Sequence, residues 1–124
     1  MADQKTILAV DRNPRNLELM QALLEEHSYH VETAATLEAM DRVLLGRRAI
    51  CLALVDIVGF DRGIWERCER MRDARIPFLV ISPQQQAAVQ GESLRYGAHG
   101  TLTKPLIKKQ LLGIISGLLG EEAE

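Results

Sequence analysis

Two carboxylates, a hydroxyl and an ammonium each close an apolar run in this chain. Asp56 follows Ala49-Ile50-Cys51-Leu52-Ala53-Leu54-Val55, and Asp11 follows Thr6-Ile7-Leu8-Ala9-Val10. Ser82 follows Pro77-Phe78-Leu79-Val80-Ile81, and Lys104 follows His99-Gly100-Thr101-Leu102-Thr103. If these runs are neighbouring parallel strands, Asp11, Arg12, Asp56, Ser82 and Lys104 share one rim, at the carboxyl ends where open α/β sheets gather their chemistry. The combination suits phosphoryl transfer. A carboxylate can accept a phosphoryl group as an acyl phosphate. The charge spread over the transferring oxygens calls for a cation, a hydroxyl donor and usually Mg²⁺ nearby. Lys104 supplies the point charge, Ser82 the donor, and Asp11 a carboxylate that can hold a metal or its water.

The elements that must position these groups follow from periodicity. The run ending at Asp56 is apolar at every position, as expected of a central strand covered on both faces, and such a strand implies helices on both sides of a parallel sheet. Asn13 and Pro14 are cap and first-turn residues for a helix over about 14–27, with Leu17, Met20, Leu23/Leu24 and His27 on one face. Tyr29–Ala34 alternates as an edge-side strand. Thr36 caps a second helix carrying Leu37, Met40 and Val43/Leu44, and Gly46 stops it. Residues 57–63 read as a loop. A third helix turns Ile64, Cys68 and Met71 inward and pairs Glu66 with Arg70; its interleaved arginines and acids read as a solvated face. Pro83 opens a fourth helix through Gln84-Gln85-Gln86, the weakest of the set because of Gly91 and its few large apolar residues. Pro105 starts a fifth, where Leu112 and Leu119 widen the apolar face enough to suggest a partner surface. Five strands thus alternate with five helices.

Composition narrows the function. A length of 124 residues with 47% hydrophobic content makes one domain with one core. A net charge of −2 carries no nucleic-acid footprint. No run approaches a membrane span and the N-terminus lacks secretory character, so a cytoplasmic protein without membrane contact is expected. Cys51 and Cys68 are too sparse for a disulfide framework or metal site and read as two buried free thiols. His27, His30 and His99 offer no ligand pair on a shared helix face. A dinucleotide enzyme would need glycines after the first strand, where Asp11-Arg12-Asn13-Pro14 has none, and a flavin protein would need more than 4% aromatics.

At Ile7-Leu8-Ala9-Val10-Asp11, Leu54-Val55-Asp56, Val80-Ile81-Ser82 and Thr103-Lys104-Pro105 the chain resembles the response-regulator receiver domain of two-component signalling, over essentially its whole length. The resemblance implies an α/β, flavodoxin-like (βα)5 three-layer sandwich, with a parallel five-stranded sheet in the order 2-1-3-4-5, as a single receiver domain over 1–124 whose residues 119–124 form a polar tail or the start of a linker. It implies that Asp56 is the phospho-acceptor, and that Ser82, Lys104 and the residue at 101 contact the phosphoryl group or switch with it. Asp11, Asp56 and the Val58 carbonyl would be the Mg²⁺ ligands. The donor would be a histidine kinase or phosphotransfer protein and the receiver of the signal a downstream output domain or protein. A homodimer through helix 4, strand 5 and helix 5 is a further expectation. Enzymatic activity would be limited to self-phosphorylation and self-dephosphorylation.

Four departures stand beside the match. Arg12 occupies the place of a second acid, which opposes Mg²⁺; its guanidinium either stands in for the metal on Asp56 or the phosphoryl group, or points to solvent. Thr101 replaces the switch aromatic, leaving Tyr96 as a substitute or as an ordinary half-buried tyrosine. The loop after Asp56 lacks the usual Pro and brings Gly63 one residue early. Leu106 replaces the usual Phe. The alternative reading is therefore a degenerate receiver that works as a phosphorylation-independent interaction or dimerisation module, with Asp56 and Lys104 as a structural ion pair.

Overall fold

The computed structural model describes residues 5–83 and 87–121. Their strands are β1 (Thr6–Val10), β2 (His30–Ala34), β3 (Leu52–Asp56), β4 (Phe78–Ser82) and β5 (Gly100–Thr103), and their helices α1 (Pro14–Glu26), α2 (Leu37–Leu44), α3 (Gly63–Asp73), α4 (Ala87–Arg95) and α5 (Lys108–Leu118). The strands form one parallel sheet in the order β2-β1-β3-β4-β5. This is the flavodoxin-like order expected, with β2 at an edge and β3 at the centre.

Successive side chains of a strand point to opposite faces, so an all-apolar strand feeds two cores at once. Ile7, Ala9, Leu52, Leu54, Leu79 and Ile81 pack with Leu17 and Leu24 of α1 and Leu111 and Ile115 of α5. Leu8, Val10, Ala53, Val55, Phe78 and Val80 pack on the other side with Met40 of α2 and with Ile64, Trp65, Cys68 and Met71 of α3. Every residue of β1, β3 and β4 is buried. These three strands cannot slip by one residue without exchanging the two cores, which fixes what emerges at their carboxyl ends.

Local chemistry sets the helix ends. The Asn13 side chain accepts from the Arg15 N–H at 3.0 Å, with Pro14 at the first position of α1. Thr36 Oγ1 accepts from the Ala39 N–H at 3.0 Å. Gly63 is not loop but the first residue of α3, because Asp61 Oδ1 accepts its N–H at 2.8 Å. The last helix does not start at Pro105. Ile107 is still extended (φ −96°, ψ 116°), so α5 begins at Lys108. The expected opening of α4 through Gln84–Gln86 lies outside the described residues.

Packing bears on four further expectations. Arg70 pairs with Asp41 of α2 at 3.3 Å and Glu66 with Arg67 at 3.5 Å, so the Glu66–Arg70 pair is replaced. The half-buried Asp41 lies across from α3 and draws both arginines; Arg67 grips it through Nε at 3.0 Å and Nη2 at 2.9 Å. Cys51 precedes β3 and is only half-buried, whereas Cys68 is buried, its thiol pushed up to about 12 by desolvation. Leu112 and Leu119 pack against the α1/α5-side core and add no free apolar face. Glu121, expected in a polar tail, is held by Tyr29 Oη at 2.6 Å and Lys5 Nζ at 3.6 Å.

The forked hydrogen bond from Arg67 holds the Asp41 carboxyl below its usual pKa, against the opposing effect of burial. A depressed native pKa contributes stability that is complete above the unfolded-state value and is lost as pH falls through the native one. Asp41→Asn is therefore expected to cost about 1 kcal/mol at neutral pH, with the gap to the parent narrowing as pH falls below the usual carboxylate range, as read from urea unfolding at neutral and acid pH.

Candidate functional site

β3 delivers Asp56 to the rim in the middle of the sheet, only 2% exposed. An ionised carboxylate cannot remain buried without partners. Oδ1 accepts from the Val58 N–H at 3.0 Å, a short turn within its own loop. Oδ2 is in an ion pair with Lys104 Nζ. The lysine comes from the far edge of the sheet: Leu79–Ser82 of β4 run in register with Gly100–Thr103 of β5, and the Lys104 N–H continues the ladder onto the Ser82 carbonyl at 2.9 Å. Its side chain is 33% exposed, so one member of the pair stays hydrated while the other does not.

Ser82 reaches the same rim as the last, buried residue of β4, beside Asp56, whose register partner is Ile81. Asp11 follows β1, the neighbour of β3 on the other side. It is half-buried, and Oδ1 accepts from the Asn13 N–H at 2.8 Å. Burial raises its pKa above the usual carboxylate value, and the charge of Asp56 raises it further, while the Asn13 and Asn16 hydrogen bonds and Lys104 oppose. The two acids are thus close enough to repel. Among the described residues no group of three His, Cys, Asp or Glu could enclose a metal. Asp11 and Asp56 supply carboxylate oxygens, hard donors of the kind that suits Mg²⁺ when substrate oxygens complete its sphere. The residues fit that ion.

Arg12 takes the solvent-facing one of its two expected positions, leaning over a neighbouring ring. Its guanidinium carbon lies 5.8 Å from the centre of the Phe60 ring, and Nη1 donates to the Ala35 carbonyl at 3.5 Å. Gly59, in the left-handed region at φ +84°, makes this possible: a Cβ there would stand 3.2 Å from Arg12 Cγ. The guanidinium is drawn over the loop by an aromatic face and is not lodged on Asp56. Thr101, in the middle of β5, is half-buried opposite Val80. Tyr96 stacks on Trp65, with ring centres 5.4 Å apart and planes 17° apart. Sequence reasoning missed that contact and the Phe60–Arg12 contact, because both join loops or helices far apart in the chain.

The family model for the response regulator receiver domain matches residues 7–116. Protein PilH of Pseudomonas aeruginosa is 31% identical over 119 residues, covering 91% of this chain and 96% of that protein. The signal transduction histidine-protein kinase BarA of Escherichia coli is 29% identical over 115 residues; these cover 89% of this chain but only 12% of the kinase. Among solved structures, a response regulator receiver domain protein from Methanospirillum hungatei superposes with a TM-score of 0.84 at 28% identity, over 95% of both chains. A two-component response regulator from Clostridium difficile shares the fold with a TM-score of 0.84 at 22% identity.

The ion pair predicts an asymmetry. Lys104→Met strands a buried carboxylate and should cost about 3 kcal/mol, whereas Asp56→Asn leaves a lysine that can rehydrate and should cost under about 1 kcal/mol. Adding Asp56→Asn to Lys104→Met should recover most of the loss, all three being read from urea midpoints.

Proposed function

The chain belongs to the response-regulator receiver family, and from that premise we propose that it relays a signal by accepting a phosphoryl group on Asp56. The observation that carries this reading is the pairing of the buried Asp56 carboxylate with Lys104 at the rim that Ser82 and Asp11 share. In the proposed step, a carboxylate oxygen of Asp56 attacks the phosphorus of a phosphohistidine on a kinase or phosphotransfer protein. The P–O bond forms as the P–N bond breaks, the bonding pair goes to the imidazole nitrogen, and that nitrogen takes up a proton. Asp56 loses one negative charge from the oxygen that attacks, and three phosphoryl oxygens arrive beside it. Lys104 moves from carboxylate to phosphoryl oxygen, and the Ser82 hydroxyl donates to another.

Asp11, Asp56 and the Val58 carbonyl would hold Mg²⁺, which would neutralise oxygens of the incoming group. Arg12, drawn over Phe60, leaves the two carboxylates to the ion and acts on the site only by its charge. Water attack on the acyl phosphate would return the domain to its starting state; self-phosphorylation and this self-dephosphorylation would be the whole of its own catalysis. The work is cytoplasmic. Departure of Lys104 from Asp56 is transmitted through β5 to the surface of α4, β5 and α5. Leu94 and Ile107 are exposed there, for an output domain, an output protein or a second copy to meet.

Incubation with acetyl phosphate and Mg²⁺ is expected to add one phosphoryl mass to the parent, none to Asp56→Asn, and none when the metal is chelated. Arg12→Asp should reach half-maximal modification at lower Mg²⁺ than the parent. An adduct that persists in Asp56→Asn would remove Asp56 as the acceptor.

A further inference from the structure

At the outer edge of the sheet, β2 carries one helix on each face, and the two helices turn opposite charges outward. α1 packs on the face that holds Val31, and α2 on the face that holds Ala34. Leu19, Leu23 and Glu26 of α1 turn toward Lys108 and Leu111 of α5. With about 3.6 residues per turn, Glu18, Gln21 and Glu25 therefore lie on the other flank, beyond β2. Both glutamates are exposed, and Gln21 donates to Glu25 at 3.2 Å, which leaves the negative charge in place.

α2 is divided in the same way. Asp41 faces Arg67 and Arg70 of α3, so Ala39, Arg42 and Val43 lie on the flank beyond β2. There they border an open groove of about 320 Å³ together with Glu32, Arg47 and Arg48. Ala39 and Val43 are its half-buried apolar floor, and the three arginines are exposed. Arg48 pairs with Glu32 at 3.8 Å, whereas Arg42 and Arg47 make no ion pair among the described residues. Two guanidiniums, whose forked donors suit carboxylates, thus stand unmatched at this edge among the described residues.

The heights of the two flanks agree. Val10 and Ala34, which end β1 and β2, are register partners, and the helices that follow start at Pro14 and Leu37. At about 1.5 Å per residue, Glu18 lies about 6 Å and Arg42 about 7.5 Å below those starts. Glu25 lies about 16 Å down, past the end of α2 and near the level of Arg47 and Arg48.

We propose that two copies of the chain pair across this edge, about a two-fold axis parallel to the strands. Such an axis turns the second sheet over, so α1 of each copy meets the α2 flank of the other. Glu18 pairs with Arg42 of the second copy and Glu25 with Arg47, and the symmetry makes each contact twice. Both copies use the same surface, so the assembly closes as a dimer. Exposed ion pairs are individually weak, which makes the dimer loose and sensitive to salt. Neither Asp56 nor the surface of α4, β5 and α5 takes part, so this pairing and phosphoryl acceptance stand or fall separately.

The test is sedimentation equilibrium of the chain at low salt and in about 1 M NaCl, where the Debye length is about 3 Å. A monomer–dimer equilibrium is expected, weakened about tenfold or more by the salt. Arg42→Glu/Arg47→Glu and Glu18→Lys/Glu25→Lys should each be monomeric. An equimolar mixture of the two should dimerise again, because both contacts of the mixed pair are complementary. Arg47→Glu alone, outside the helix, replaces the first variant if Arg42→Glu lowers the melting temperature. A parent that stays monomeric up to about 1 mM, the weak end of the affinity scale, would overturn the proposal. So would a dimer that survives in either folded variant, or folded variants that fail to combine. Growth of the parent beyond a dimer would overturn the closed two-fold arrangement.

Discussion

A carboxylate that is 2% exposed in the middle of a parallel sheet is the constraint around which the rim is built. So little of Asp56 meets water that its charge must be met chiefly by groups the fold delivers. The Val58 N–H arrives from the next turn of the chain and Lys104 arrives across β4 from β5. The partnership is unequal by design of the sheet: the acid sits at the buried centre and the base reaches in from the exposed edge. Taking the acid's charge away costs little and taking the base away costs much. Phosphorylation of Asp56, as proposed, would take the charge from the carboxylate to the phosphoryl oxygens, and Lys104 following them would make a switch out of an ordinary ion pair.

The rest of the fold serves to hold that geometry. β1, β3 and β4 are buried on both faces and feed two cores, so their register is fixed by packing on either side. Fixed register delivers Asp11, Asp56 and Ser82 to one rim, and the ladder between β4 and β5 adds Lys104. On the far side the structure is stitched differently. Asp41 of α2 binds Arg67 and Arg70 of α3, and Tyr96 stacks on Trp65, so helices of one layer are joined by polar and aromatic contacts above a shared apolar floor. Near the other end of the strands, Glu121 is tied to Tyr29 and Lys5.

What was legible in the sequence was what depends on periodicity. Apolar runs that end in a polar residue announce buried strands and a shared rim together, and the family resemblance supplied the strand order that brings Lys104 toward Asp56. Helix starts marked by a side-chain cap, at Asn13 and Thr36, were legible for the same reason. The start of α5 was not, since Pro105 is as compatible with a turn as with a first helical residue. Long-range choices were hidden too. Arg70 had two acids within reach and only the packing of α2 against α3 decides for Asp41. Arg12 could be placed on Asp56 or in water, and its resting place on Phe60 depends on the left-handed turn at Gly59. Family resemblance supplied roles for Thr101 and Val58 that no spacing could.

The central claim is that Asp56 is the acceptor and Lys104 the cation that follows the transferred group. A crystal structure of the chain with Mg²⁺ and beryllofluoride, a mimic of an acyl phosphate, tests both parts at once. The account predicts beryllium bonded to an Asp56 carboxylate oxygen, with Lys104 Nζ drawn from the carboxylate onto a fluorine. A protein saturated with the reagent whose Asp56 carries no adduct and remains paired with Lys104 would contradict it.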